Sequence, residues 1–156
     1  MKDARWLDVA DDIRSAAHHF NMAGRLYDAG DLEGNGFDPY RNRMAFLQAM
    51  QSGCTSLEGA LERILDILSE EKPSGSSYHA DLIRRVAREF PGRRPAIITA
   101  DLAEAIDETR RFRHVARKNY NNFRVLDAGN AVAAGRRLAD RLENEIETFR
   151  DRIDPA

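Results

Sequence analysis

Between Glu108 and Asp127 the chain carries no acidic residue. Residues 110–124, within that window, read RRFRHVARKNYNNFR. They hold Arg110, Arg111, Arg113, Arg117, Lys118 and Arg124, with His114 among them and Phe112, Tyr120 and Phe123 threaded between. A second basic block, residues 84–94, holds five arginines against the single acid Glu89. The whole chain has 24 Lys and Arg against 26 Asp and Glu, so the remainder is strongly acidic. This clustering, and not the net charge of -2, is what makes a polyanion partner plausible.

Projected on a helix over residues 101–120 at about 100° per residue, the block resolves into faces. Leu102, Ile106, Thr109 and Ala116 share one broad face, with Ala105 and Phe112 at its edge. Arg113 and Tyr120 fall on the margin of that face and Arg117 slightly beyond, while His114 and Lys118 lie about a quarter turn further round. A guanidinium at the edge of a packed seam is costly unless it meets a carboxylate, a partner subunit or a phosphate. Both readings of Arg113 stay open: a structural ion pair with one of the many acids, or a ligand-binding arginine. Tyr120 reads from the residues alone as a core or interface tyrosine.

Other sites of familiar type are absent. There is no glycine-rich phosphate loop, no Cys/His metal spacing and no nucleophile elbow. His18 and His19 are adjacent on a helix, so they diverge by about 100° and suit shared metal ligation poorly. No metal or other cofactor is therefore expected. Asp11-Asp12 and Glu70-Glu71 read as solvated helix charge, and His79 as a capping or surface residue with a site role as the alternative. The lone Cys54 reads as a small buried hydrophobe and fits a reducing, cytoplasmic setting. The opening MKDARWLDVADDI mixes acids and bases too closely for a secretory signal, and no run of about 18 apolar residues suggests a membrane span.

The elements that must position these residues are helices. Trp6, Val9, Ile13, Ala16, Phe20 and Ala23, then Leu26 or Tyr27, recur at three- and four-residue steps and predict a helix over 3–29. AGDLEGNG ends it. Asp38-Pro39 predicts the next start, with Asp38 as N-cap and Pro39 as first helical residue. Met44, Leu47, Met50, Leu57, Ala60, Leu61, Ile64, Leu65 and Leu68 carry that helix to about Glu70, with Gly53 as a bend or break. Lys72 to Ser77 is a loop, and Ser77 caps a shorter helix to Phe90 with Leu82, Ile83, Val86 and Phe90 inward. PGRRP stops it. Pro95 to Thr99 is the only strand candidate. A helix follows to about Tyr120, closed by NYNN, and a last one spans about 127–152 with Val132, Leu138, Leu142, Ile146 and Phe149 on its stripe. The expectation is a single all-α domain over 1–156, an antiparallel helical bundle of four long helices plus a shorter one.

With these residues in place, the chain resembles the HEPN superfamily, and most closely the HepT-like toxins encoded beside a minimal nucleotidyltransferase (MNT) antitoxin. The segment Phe112 to Tyr120, FRHVARKNY, is similar to that family's phenylalanine–arginine–histidine block. KPSGSSYH (72–79), followed by Asp81-Leu82, is similar to the loop and helix start of the HepT-like subgroup. The resemblance implies a metal-independent endoribonuclease that works as a homodimer, its paired Arg and His residues meeting in a cleft between subunits. It implies that Arg113 binds the scissile phosphate and that position 118, five residues on, serves as the acid–base group or positions the 2′-hydroxyl. Arg110, Arg117 and Asn119 are then expected at the RNA. Tyr120 matches the tyrosine to which the antitoxin adds AMP in some members.

The sequence departs from the family at Lys118, where the pattern has His. Lysine binds phosphate but shuttles protons poorly near neutral pH. Three accounts stay open: a weakened natural member, a deliberate inactivating change, or catalysis taken over by His114 and Arg117. Two other functional classes compete with the toxin. One is a non-catalytic nucleotide- or substrate-binding partner of a nucleotidyltransferase. The other is a plain helical interaction protein whose basic block is solvated or docks an acidic partner.

Overall fold

The computed structural model describes residues 3–118 and 124–155, an all-helical bundle with one shared hydrophobic core. Five α-helices follow one another: α1 (Arg5–Ala29), α2 (Phe37–Ile67), α3 (Tyr78–Ala87), α4 (Ala100–Lys118) and α5 (Gly129–Ile153), the last preceded by a short 3₁₀ turn (Val125–Ala128). Four are long and α3 is short, as the periodicity predicted. Among the described residues no helix is long and apolar enough to cross a membrane.

Side-chain pairs fix the directions. Tyr27 late in α1 meets Phe46 early in α2, with ring centroids 6.3 Å apart, while Asp12 early in α1 pairs with Arg63 late in α2 at 2.8 Å. These helices are therefore antiparallel. Trp6 meets Phe149 at 6.5 Å and Asp28 pairs with Arg136, so α5 also runs antiparallel to α1. Asp101 at the start of α4 pairs with Arg137 and Arg141 of α5. The apolar stripes predicted for α1 and α5 are the ones buried.

Several local expectations need correction. α2 starts at Phe37 on Gly36, so Asp38 lies in the first turn and pairs with Arg41 instead of capping. Proline fits anywhere in that turn, because its missing N–H would find no helical acceptor there. Gly53 does not split α2, which runs unbroken through it; a Cβ there would lie 2.7 Å from the Phe20 ring, so the glycine makes room for α1. α2 stops at Ile67, short of Glu70. Ser69 takes a left-handed conformation (φ 56°), its N–H bonds Asp66 O, and the Glu70 N–H bonds Leu65 O at 2.9 Å. This is a Schellman ending, formed at a serine. Ser77 occupies the cap position of α3 without a side-chain capping bond.

α3 ends at Ala87, so Phe90 lies outside it and is only half-buried, facing Arg94 through an isolated antiparallel bridge. The segment 95–99 is not a strand. Ile97 and Ile98 are buried and both donate to Val86 O, which ties the connection to α3. Of the second basic block Arg94 is committed inside the fold, while Arg84, Arg88 and Arg93 are exposed. Arg94 is buried, pairs with Glu70, donates to the carbonyls of Arg88, Pro95 and Arg85, and lies 4.7 Å from the Phe90 ring centroid. Arg85 donates to Glu71 O at 2.7 Å, and Arg84 pairs with Asp81.

Candidate functional site

α4 begins where Thr99 is held twice by α5: its N–H and hydroxyl each lie 2.9 Å from a carboxylate oxygen of Glu145. The Thr99 hydroxyl in turn accepts the Leu102 N–H at 3.3 Å. With its start anchored this way, α4 turns Leu102, Ala105, Ile106, Thr109 and Phe112 inward. That phase is set by the apolar residues, and it carries Arg113 inward with them.

Arg113 is the only described cation of residues 110–124 that is buried. Its Nη2 donates to Glu58 Oε1 of α2 at 3.1 Å, and Glu58 is its ion-pair partner among the described residues. The structural ion pair anticipated from the sequence therefore exists, and its acid is Glu58. The same oxygen lies 3.0 Å from Nδ1 of His79, in the first turn of α3. One carboxylate oxygen thus joins three helices. Next to it, Tyr78 donates its hydroxyl proton to Glu62 of α2, and its ring meets the His79 ring edge-on with centroids 5.2 Å apart. Burial, and then the Glu62 carboxylate, hold the Tyr78 phenol well above its ordinary pKa.

Arg113 also lines a cleft of about 400 Å³ between α2 and α4. Met44, Leu47, Gln48 and Gln51 form the α2 wall, and Phe112, Ala116 and Arg117 the α4 wall. The cleft is therefore mainly apolar with two glutamines in its α2 wall, one buried guanidinium inside it and an exposed one, Arg117, on its α4 wall. The remaining described cations divide by position. Arg110 and Arg111 pair one turn back with Asp107 and Glu108. Such pairs along the surface of one helix contribute little. His114, Arg117, Lys118 and Arg124 are exposed. Asn119 and Tyr120 lie outside the described residues.

Cys54 sits beneath this site, buried against Thr109 and close to Arg113. Burial pushes its thiol up to about 11, so it stays protonated at neutral pH and is no nucleophile. Among the described residues no group of three or more His, Cys, Asp or Glu is placed to hold a metal ion.

Sequence reasoning located Arg113 at a packed margin but did not single out Glu58 among 26 acids. It weighted His79 toward a surface role. The signal available was indirect: Glu58 sits one residue beyond the buried Leu57 and one turn after the buried Cys54, on the α2 edge that an antiparallel neighbour would reach.

A family model described as HepT-like protein matches residues 45–153, and the chain belongs to this HepT-like family. No curated protein and no solved structure matches the chain significantly.

Proposed function

We propose that the protein is the toxin of a HEPN/MNT toxin–antitoxin pair: a metal-independent endoribonuclease, restrained by its nucleotidyltransferase antitoxin through AMP addition at Tyr120, and slowed by Lys118 at the family's His position. The observation that carries this reading is the seating of Arg113. The residue matching the family's phosphate-binding arginine is the one cation of its block drawn into the bundle, where it lines the α2–α4 cleft.

RNA cleavage by its own 2′-hydroxyl needs a proton acceptor, a proton donor and a cation on the phosphorane charge. Arg113 supplies the cation, held in place by Glu58 instead of sweeping solvent. Arg117 at the rim, with Arg110 and Lys118, extends the phosphate-binding surface, and His114 is exposed on the same helix. AMP at Tyr120, two residues past Lys118 in the sequence, would add negative charge and weaken RNA binding.

Purified protein incubated with tRNA or total RNA in EDTA should cleave it. Arg113→Ala should lower the rate by about 100-fold or more, and Lys118→His should raise it. Incubation with the MNT partner and ATP should add one AMP by intact mass, and Tyr120→Phe should prevent the addition. The second reading, a non-catalytic binding partner of a nucleotidyltransferase, is favoured by Lys118 and by the Glu58 charge set against Arg113. Tight nucleotide binding without cleavage by either the natural chain or Lys118→His would establish it and end the toxin reading.

A further inference from the structure

Glu58 Oε1 is shared between two groups from different helices, Arg113 Nη2 at 3.1 Å and His79 Nδ1 at 3.0 Å. The acid is mostly shielded, its side chain 18% exposed, and Arg113 is more so at 9%, whereas the His79 side chain is 45% exposed. The carboxylate beside Nδ1 fixes the orientation of the ring, and the half-exposed side chain leaves it open to solvent. Imidazole is the side chain best suited to carry a proton near neutral pH. The chain has a lysine at the position where the HepT-like pattern has histidine, yet this second imidazole already stands on the same carboxylate as the phosphate-binding arginine.

Resting on the ribonuclease reading above, we propose that His79 is a catalytic residue of this site, the proton acceptor in RNA cleavage, with Glu58 positioning it and Arg113 together. In the step, Nε2 of His79 takes the proton of the 2′-hydroxyl and the 2′-oxygen forms its bond to phosphorus. The bond from phosphorus to the 5′-oxygen breaks, leaving a 2′,3′-cyclic phosphate. The departing 5′-oxygen is protonated by a water molecule, and the hydroxide so formed takes the proton back from the His79 imidazolium. Arg113 offsets the phosphorane charge throughout. Lys118 then serves as a second phosphate-binding cation and need carry no proton.

The test compares the natural chain, His79→Ala, His79→Gln and Lys118→His on a fluorescent RNA oligonucleotide in EDTA, with RNA affinity and thermal stability measured beside the rate. Both His79 variants should lose about 100-fold or more in cleavage while keeping RNA affinity. Free imidazole added to His79→Ala should restore part of the rate, which a merely structural histidine would not allow. If the natural chain cleaves and the His79 variants match it, the proposal is overturned and the ribonuclease reading stands. If only Lys118→His cleaves, the proposal also fails, because His79 then does not supply the missing proton acceptor. If none cleaves, both fall together.

Discussion

Arg113 shows how a residue's type is read more fully once its neighbours are known. The sequence alone allowed Arg113 an ion pair or a phosphate; the structure supplies the ion pair and still lets the side chain line an open cleft. Those roles are compatible, since one guanidinium carries five donors and Glu58 engages one nitrogen. Cys54 behaves as the buried hydrophobe it was expected to be. Because its folded thiol titrates at about 11, above its ordinary 9.0, folding favours the protonated form. The resulting stabilisation is complete below about pH 9 and is lost as pH rises toward 11. Its size is on the order of 3 kcal/mol. Urea denaturation from about pH 8 to 11 should show that decline, and Cys54→Ala should flatten it. The thiol should also react with a disulfide reagent only when the chain is unfolded.

The helices themselves were legible because their apolar residues repeat with the helical period. Their ends were less so. The apolar pattern placed the α2 terminus at Glu70, yet the chain turns at Ser69, where a left-handed serine closes the Schellman bonds. Serine carries no strong signal for that conformation, whereas glycine would have. Phe46 was also hidden, because the α2 stripe was traced through Met44 and Leu47; it is fully buried, 5.9 Å from the Phe112 ring centroid. Gly53 was given a backbone role when its role is in packing. Phe20 of α1 sits between two glycines, Gly53 of α2 and Gly135 of α5, where added Cβ atoms would lie 2.7 and 3.1 Å from its ring. Gly53→Ala should therefore destabilise the bundle by about 1–3 kcal/mol through overpacking, despite the better helix propensity of alanine. Denaturant midpoints would measure the loss, and no loss would mean that Phe20 has space to move.

At the scale of the whole molecule, α2 presents an apolar stripe that the bundle leaves open. Phe37 and Tyr40 are 75% and 56% exposed, and Met44 and Leu47 continue the same three- and four-residue spacing into the cleft beside Arg113. Exposed apolar surface continuous with a candidate site suits an interface, and on the proposed ribonuclease reading a second copy of the chain is expected to cover it. Light scattering should give a dimer, and Tyr40→Glu should shift it toward monomer and lower cleavage along with it. A natural chain that stays monomeric at working concentrations would argue against a site shared between subunits.

The sequence by itself determined the helical class, the core stripes of α1 and α5, the burial of Cys54 and the inward lean of Arg113. All of these follow from residue type and a period of about 3.6 residues, which are properties of a single segment. The meeting of Glu58, His79 and Arg113 was decided only by tertiary structure. These residues come from three helices, with Arg113 55 positions from its carboxylate. No local period relates them; they are joined because α3 and α4 pack against the same edge of α2. The sequence also overstated the basic blocks. It counts charges along the chain, but the fold pairs Arg94 with Glu70, Arg110 with Asp107 and Arg113 with Glu58. Only the packed molecule shows which cations face solvent.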